Sequence, residues 1–184
     1  GDKGGIAAYW RDYEGHRNEF MPANLANDIL RLWGTFCVNY EARTSTEPAE
    51  KKAKRKLKNY KLKHSRLLTC YSALIYLLAV YAQRGTVSPD DAAAMIRLTP
   101  TGRLLWLAEQ KHLSGTRETV ENLLGLYEAF LSDTEAPESE MIAQFLDRER
   151  SKRLMESAAF LGDCVFDLRG QVGRDKRFDR HRLV

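Results

Sequence analysis

Residues 51–82 read KKAKRKLKNYKLKHSRLLTCYSALIYLLAVYA, and this stretch decides the fold. It is basic in its first half and apolar in its second half, and Gly85 can end it as a helix. Its apolar part, residues 67–82, contains Thr69 and Ser72 and is shorter than the roughly 20 residues that span a bilayer. We therefore predict a long helix whose second half lies in the core, and no contact with a membrane.

Outward from this stretch, period-2 alternation is absent and helix signals recur, so the sequence predicts an all-α fold. A first main helix is predicted over residues 24–43, with the apolar face Leu25, Ile29, Leu32, Phe36 and Tyr40. Gly34 interrupts it and predicts the close approach of a neighbour or ligand. Further helices are predicted over 102–113, 117–131 and 138–168, with N-caps at Ser88 and Thr99 and a linker over 133–137.

These elements predict a compact bundle of about six helices in a single domain over residues 1–184, with 1–21 and 170–184 peripheral. The chain has 184 residues, of which 43% are hydrophobic and 29% charged, as expected of a globular protein rather than a disordered one. It starts Gly-Asp-Lys-Gly-Gly without methionine, so we expect it to be a fragment of a longer protein.

The net charge is only +4, but its distribution is uneven. Residues 51–66 contain many lysines and arginines and no acidic residue. The basic residues are Lys51, Lys52, Lys54, Arg55, Lys56, Lys58, Lys61, Lys63 and Arg66. Such a run favours a polyanionic partner, which could be a nucleotide triphosphate, a nucleic acid or an acidic protein. The alternative is a charged face that is simply solvated.

Residue spacing within the run predicts two neighbouring stripes on the helix. The first contains Lys54, Lys58, Lys61 and Ser65, and the second contains Asn59, Lys63 and Arg66. Donors at this density can hold phosphate oxygens, with arginine as a bidentate donor and lysine as a point charge.

The sequence contains no pattern for metal or nucleophilic chemistry. Cys37, Cys70 and Cys164 are widely spaced, as expected of buried thiols in a reducing cytoplasm. The four histidines, His16, His64, His112 and His181, are scattered, and each is interpreted as a surface or core-edge residue. There is no Gly-rich phosphate loop and no catalytic triad, and we predict neither a metal site nor a cofactor in this chain.

Two motifs resemble a known family. Asn27-Asp28-Ile29, followed by Arg31, Trp33, Thr35, Val38, Tyr40 and Glu41, resembles the signature N-D-I-x-R-x-W-x-T-x-x-V-x-Y-E. Lys58-Asn59-x-Lys61-Leu62-x-x-Ser65-Arg66-x-Leu68-x-x-Tyr71-Ser72 looks like R-N-x-K-L-x-x-S-R-x-L-x-x-[YF]-S. Both occur, in this order, in the helical C-terminal region of bacterial nucleotidyltransferase-like proteins of the polymerase-β superfamily. Leu32, Gly34 and Lys58 depart from the pattern.

In that family a small α/β catalytic domain with a G-S motif and two metal-binding Asp residues comes first, and the helical part closes over the nucleotide. The resemblance implies that Lys58, Asn59, Lys61, Ser65 and Arg66 contact a triphosphate or an acceptor polyanion. It implies that a supporting polar network of Asn27, Asp28, Arg31 and Glu41 holds those donors in place.

No G-S followed by D-x-D occurs in this chain, so it is not expected to catalyse transfer alone. Magnesium-bound nucleotide would require an upstream catalytic domain. Three alternatives remain: a nucleic-acid-binding module that uses residues 51–66 and the tail 169–182, a scaffold for an acidic protein, and a buried ion-pair network of Asp28, Arg31, Glu41 and Arg66 that only fixes the two helices.

Overall fold

The structure is a computed structural model that describes residues 7–41 and 48–173, with backbone only for residues 39–41. No strand occurs in these ranges, so the all-α prediction is confirmed. The described residues form seven helices: α1 (Ala23–Glu41), α2 (Ala49–Arg84), α3 (Pro89–Arg97), α4 (Pro100–Glu109), α5 (Arg117–Thr134), α6 (Glu138–Leu146) and α7 (Arg148–Gly173). Short 3-10 turns lie at Ala8–Trp10, Tyr13–His16 and Lys111–Thr116.

Helix α2 is the central element. It is α-helical over Ala49–Lys61, passes through a π-helical turn at Leu62–Arg66, and is α-helical again over Leu67–Arg84. Its apolar half is enclosed by α1, α3, α4 and α7. Among the described residues, α2 alone is long and apolar enough to cross a membrane, and 78% of its apolar 18-residue stretch is buried inside the fold. That burial is typical of the core helix of a soluble protein and agrees with the predicted core helix.

Buried side chains form three hydrophobic clusters along α2. The largest joins its second half to α4, α5 and α7 and is centred on Leu104, Leu123 and Leu161. A second cluster, around Trp10, covers the end of α2 near α3. A third lies beneath the basic half of α2, where α5, α6 and α7 supply Phe130, Phe145 and other side chains.

Two helix starts follow the predicted caps. Ser88 and Asp91 form a reciprocal capping box at the start of α3. Thr99 Oγ1 accepts the Gly102 backbone N–H at 3.0 Å at the start of α4. Each cap precedes a proline, which fits the first helical position because its missing N–H would have had no intrahelical partner.

Three predicted boundaries are wrong. The predicted helix 138–168 is two helices, because Asp147 is extended and its Oδ1 accepts the Arg150 N–H at 2.6 Å, which caps α7. Helix α4 ends at Glu109, and Lys111–Thr116 is a separate 3-10 turn. Helix α5 continues through Thr134, inside the predicted linker.

One further expectation for α1 is wrong, and the close neighbour expected at Gly34 is absent from the described residues. Leu32 is 48% exposed, whereas Trp33 packs against the main cluster with Ile29 and Phe36. No atom lies within 4 Å of the position that a Cβ on Gly34 would occupy, so nothing approaches it closely among the described residues. Tyr40, the last member of the predicted face, has no described side chain.

Candidate polyanion-binding site

The basic half of α2 is amphipathic, and this fixes where its lysines point. Ala53, Leu57, Tyr60 and His64 are buried at positions i, i+4, i+7 and i+11. They pack into the third cluster against α5, α6 and α7. Because one side of the helix is buried in this way, the lysines between these positions are directed toward its edges and toward solvent.

Two lysines of the basic run make structural contacts. Lys54 Nζ lies 3.2 Å from Glu138 Oε1, which connects α2 to α6. Lys56 Nζ donates to Ser151 Oγ at 3.1 Å, which connects α2 to α7. Lys58 and Lys61 are exposed, and in the described ranges no carboxylate pairs with either of them. The structure therefore separates the run into lysines that tie helices together and lysines that carry uncompensated charge.

The first predicted stripe continues beyond Ser65. Ser65 is half-buried, and its carbonyl oxygen accepts the Thr69 hydroxyl at 2.7 Å, one turn further along α2. Arg103 of α4 reaches this turn and donates from Nη1 to Ser72 Oγ at 3.2 Å and to the Thr69 carbonyl at 3.4 Å. We call the set Lys58, Lys61, Ser65 and Arg103 the lysine row.

Arg103 is held firmly but is not neutralised. Its Nε also donates to the Met95 carbonyl at 2.9 Å, so its three acceptors are two carbonyl oxygens and a hydroxyl. Burial lowers the pKa of the Arg103 guanidinium, but an arginine of this kind stays charged. In the described part of the chain no carboxylate pairs with it. Its positive charge is therefore available to an anion beside Thr69 and Ser72, the residues of α2 that it contacts.

Arg103 was missed by sequence reasoning. It lies on a different helix from the basic run, 37 positions after Arg66, and belongs to no charge cluster. Only the packing of α4 against α2 brings it to the row.

The structure separates Arg66 from the lysine row. The Arg66 Cζ lies 5.3 Å from the centre of the Phe36 ring of α1, so its guanidinium stacks on an aromatic side chain. Arg66 follows Ser65 directly, and successive side chains on a helix point in directions about 100° apart. Asn59, of the same predicted stripe as Arg66, is half-buried.

Of the predicted supporting residues, Asp28 and Arg31 contact each other, and no described hydrogen bond or ion pair joins them to the basic half of α2. Asp28 accepts a hydrogen bond from the Tyr9 hydroxyl at 2.7 Å and lies 3.5 Å from Arg31 Nη1. The Arg31 and Asp28 side chains are 82% and 45% exposed, and Asn27 is exposed as well. A buried ion-pair network is therefore wrong for these residues and for exposed Arg66. The Glu41 side chain lies outside the described residues.

His64 corrects the expectation that every histidine lies at the surface or core edge. It is fully buried in the π turn, and its ring stacks on Phe130 with centroids 4.5 Å apart. Nδ1 lies 2.9 Å from the Tyr60 carbonyl, which accepts its N–H, and Nε2 has no partner among the described residues. Burial lowers the His64 pKa, against smaller opposing effects of the Tyr60 carbonyl and Asp133. His16 and His112 are exposed, and His181 is outside the described residues.

The described residues provide no metal-ligand cluster. No three His, Cys, Asp or Glu side chains within residues 7–41 and 48–173 come together as ligands. An open groove between α2 and α6 is lined by Glu50, Lys54 and Glu138 together with apolar side chains of α6. Its two carboxylates make it a poor site for phosphate. The lysine row is therefore the better candidate for an anion.

No protein-family model, curated protein or solved structure matches this chain. The resemblance to nucleotidyltransferase-like proteins stays a prediction, and the argument for function depends on the site itself.

Proposed function

We propose that this chain is a helical nucleotide- or acceptor-binding domain of a bacterial, cytoplasmic nucleotidyltransferase-like protein. In this proposal the lysine row binds the phosphate groups of the ligand. The observation that supports it best is Arg103, a partly buried guanidinium that is fixed by three neutral oxygen acceptors and contacts α2 one and two turns beyond Ser65.

The chemistry of the row fits a phosphate chain. Lys58 and Lys61 supply mobile point charges, whereas Arg103 supplies a planar guanidinium whose orientation is already fixed. Fixing the guanidinium in advance lowers the ordering cost of binding, because its hydrogen bonds to α2 and α3 exist before the ligand arrives. The Ser65 hydroxyl adds a neutral donor between them. These groups bind and orient a ligand, and none of them is a nucleophile for transfer.

In this proposal the catalytic carboxylates come from an upstream domain. Among the described residues, no group of three or more His, Cys, Asp or Glu side chains comes together as metal ligands. In this proposal magnesium reaches the row as the counterion of a bound nucleotide, and the chain alone binds without catalysing transfer.

Calorimetric titration with ATP, GTP, CTP and UTP in the presence of Mg²⁺, at low and moderate salt, tests the proposal. We expect one nucleotide to bind with micromolar affinity. Lys61→Ala and Arg103→Gln should each weaken binding about tenfold or more, because each removes a charged hydrogen bond to phosphate.

Lys52→Ala is the matched control, because Lys52 is exposed on the same helix outside the row. It should leave the affinity unchanged, and thermal melts should verify that all variants fold. Equal losses from Lys52→Ala and Lys61→Ala, or no binding of any nucleotide, would contradict the proposal. Binding of an acidic protein instead of a nucleotide would support the scaffold alternative.

A further inference from the structure

A second cationic surface lies on the other side of the π turn, where α1, α2 and α7 meet. It combines aromatic rings with two arginines and contains Trp33, Phe36, Arg66, Tyr71, Phe166 and Arg169. We call it the aromatic–arginine face. It shares no residue with the lysine row and is built from different helices, apart from α2 itself.

The rings of this face contact one another edge to face. Trp33 lies against Tyr71 with centroids 6.2 Å apart, and Tyr71 lies against Phe166 at 5.4 Å. Tyr71 is buried, whereas Phe166 is 46% exposed and Trp33 and Phe36 are half-buried. The packed Tyr71 ring thus supports Trp33 and Phe166, and solvent reaches both of these rings and Phe36.

Each end of the face carries an arginine on an aromatic ring. Arg66 Cζ lies 5.3 Å from the Phe36 centroid, and Arg169 Cζ lies 5.9 Å from the Phe166 centroid. Both arginines are exposed, and no carboxylate pairs with either within the described ranges. The exposed acids Asp163 and Asp167 of α7 pair with neither arginine, although both act on the Cys164 thiol.

Each guanidinium charge also acts on a buried group in or next to the face. Burial raises the pKa of the Tyr71 hydroxyl, and Arg169 opposes that rise. Burial likewise raises the pKa of the neighbouring Cys70 thiol, and Arg66 opposes it there. Two unpaired cations therefore lie on two different aromatic rings of this face.

We propose that the aromatic–arginine face binds single-stranded nucleic acid. Unpaired bases would stack on Phe166, Phe36 and the outer planes of the guanidinium groups, and Arg66 and Arg169 would also attract the phosphates. Bases stack on aromatic side chains without regard to sequence, and this pairing of stacking rings with cations is typical of single-strand binding. A duplex keeps its bases stacked internally and would contribute only phosphates.

If the proposed function is correct, this single-stranded nucleic acid is the acceptor of the transferred nucleotide. Only this identification of the acceptor rests on the proposed function. Binding of the strand does not depend on it.

Fluorescence anisotropy with labelled oligouridylate, oligothymidylate and a duplex of equal length tests this proposal. We expect both single strands to bind more tightly than the duplex. Phe166→Ala should weaken single-strand binding about tenfold, because one stacking platform is lost. Arg169→Ala should lower the salt dependence, because one phosphate contact and its released counterion are lost. Arg169→Lys should restore the salt dependence without restoring the full affinity.

Matched controls lie on the same helix. Phe160 is 54% exposed and Arg153 is exposed on α7, and neither belongs to the face. Phe160→Ala should leave single-strand affinity unchanged, and Arg153→Ala should have less effect than Arg169→Ala. Equal losses from Phe160→Ala and Phe166→Ala, tighter binding of the duplex, or no binding at low salt would each overturn the proposal.

Variants of the two sites separate the two proposals. Lys61→Ala should weaken nucleotide binding with little effect on the strand, and Phe166→Ala should do the reverse. Loss of strand binding in Lys61→Ala, with Phe166→Ala unchanged, would assign the strand to the lysine row and overturn the second site.

Discussion

At the scale of the residue, the two glycines Gly34 and Gly85 have opposite roles. Gly34 lies within α1, is exposed, and has free space around the position of a Cβ. Gly85 ends α2 with φ of 74°, which is the left-handed conformation. Side chains are disfavoured there, whereas in a helix interior a side chain reduces the freedom of the unfolded chain.

Gly34→Ala should therefore raise the free energy of unfolding by about 0.4–1 kcal/mol, and Gly85→Ala should lower it by about 1–2 kcal/mol. Urea unfolding followed by circular dichroism measures both. A loss of stability in Gly34→Ala would mean that this position approaches a neighbour, as the sequence had suggested.

Individual residues of the candidate site could be predicted only in part. The exposure of Lys58 and Lys61 follows from the helical spacing of the apolar residues in α2, which the sequence shows directly. Arg103 and the orientation of Arg66 depend on how α4 and α1 pack against α2, and no local pattern carries that information. The burial of His64 follows from the same helical spacing, because it is the next position on the buried side after Leu57 and Tyr60. Histidine as a residue type is usually less buried, so its identity did not indicate this.

At the scale of the element, caps were predictable and two interruptions were not. Ser88-Pro89 and Thr99-Pro100 are explicit start signals, and α3 and α4 begin there. The break at Asp147 has no proline or glycine to mark it, and the π turn at Leu62–Arg66 has no breaker either. Asp147 is nevertheless a favoured N-cap residue and so a local signal for the start of α7, whereas the π turn depends on the packing of the surrounding helices.

The capping box at α3 gives a measurable prediction. Ser88 Oγ accepts the Asp91 N–H at 3.3 Å, and Asp91 Oδ2 accepts the Ser88 N–H at 2.8 Å. The other carboxylate oxygen of Asp91, Oδ1, forms an ion pair with Arg84 of α2. Ser88→Ala should lower the free energy of unfolding by about 1 kcal/mol. Ser139→Ala is the control, because Ser139 is exposed in the first turn of α6 and caps nothing in the described structure. If the two changes lowered the free energy of unfolding equally, the cap would make no contribution of its own to stability.

At the scale of the whole molecule, the basic half of α2 depends on the third cluster for its position. That cluster encloses His64, whose ring lies against Tyr60 and Phe130. The Tyr60 hydroxyl in turn donates to Asp133 Oδ2 at 3.2 Å on α5. A charge on His64 would be buried among aromatic rings, so the folded chain resists protonation there.

Stability should therefore depend on pH below neutrality. The folded-state pKa of His64 is lowered, so its contribution is complete above about pH 6.5, the usual value of an unfolded histidine, and is lost as the pH falls below it. The loss is at most about 1.4 kcal/mol per pH unit for one proton. Urea unfolding between pH 7 and 5 should show this decline, and it should be smaller in His64→Leu than in the unchanged chain.

His112→Ala provides the control, because His112 is exposed and lies outside the third cluster. If His64→Leu and the unchanged chain lose stability in parallel, acidic side chains rather than His64 govern the decline.

The π turn has a consequence for the spacing of the whole helix. A π turn closes its hydrogen bonds one residue later than an α turn, so it takes up one additional residue without a break. Deleting one residue from this turn would convert it to an α turn and leave both flanking faces in place, whereas α geometry through the turn with every residue kept would rotate everything before it by about 100° relative to everything after it. Lysines would then turn toward α6 and α7, and buried rings toward water. The two halves of α2 thus share one axis, but the residue spacing of their buried sides is offset by one residue at the π turn. The positions of both cationic surfaces depend on this offset.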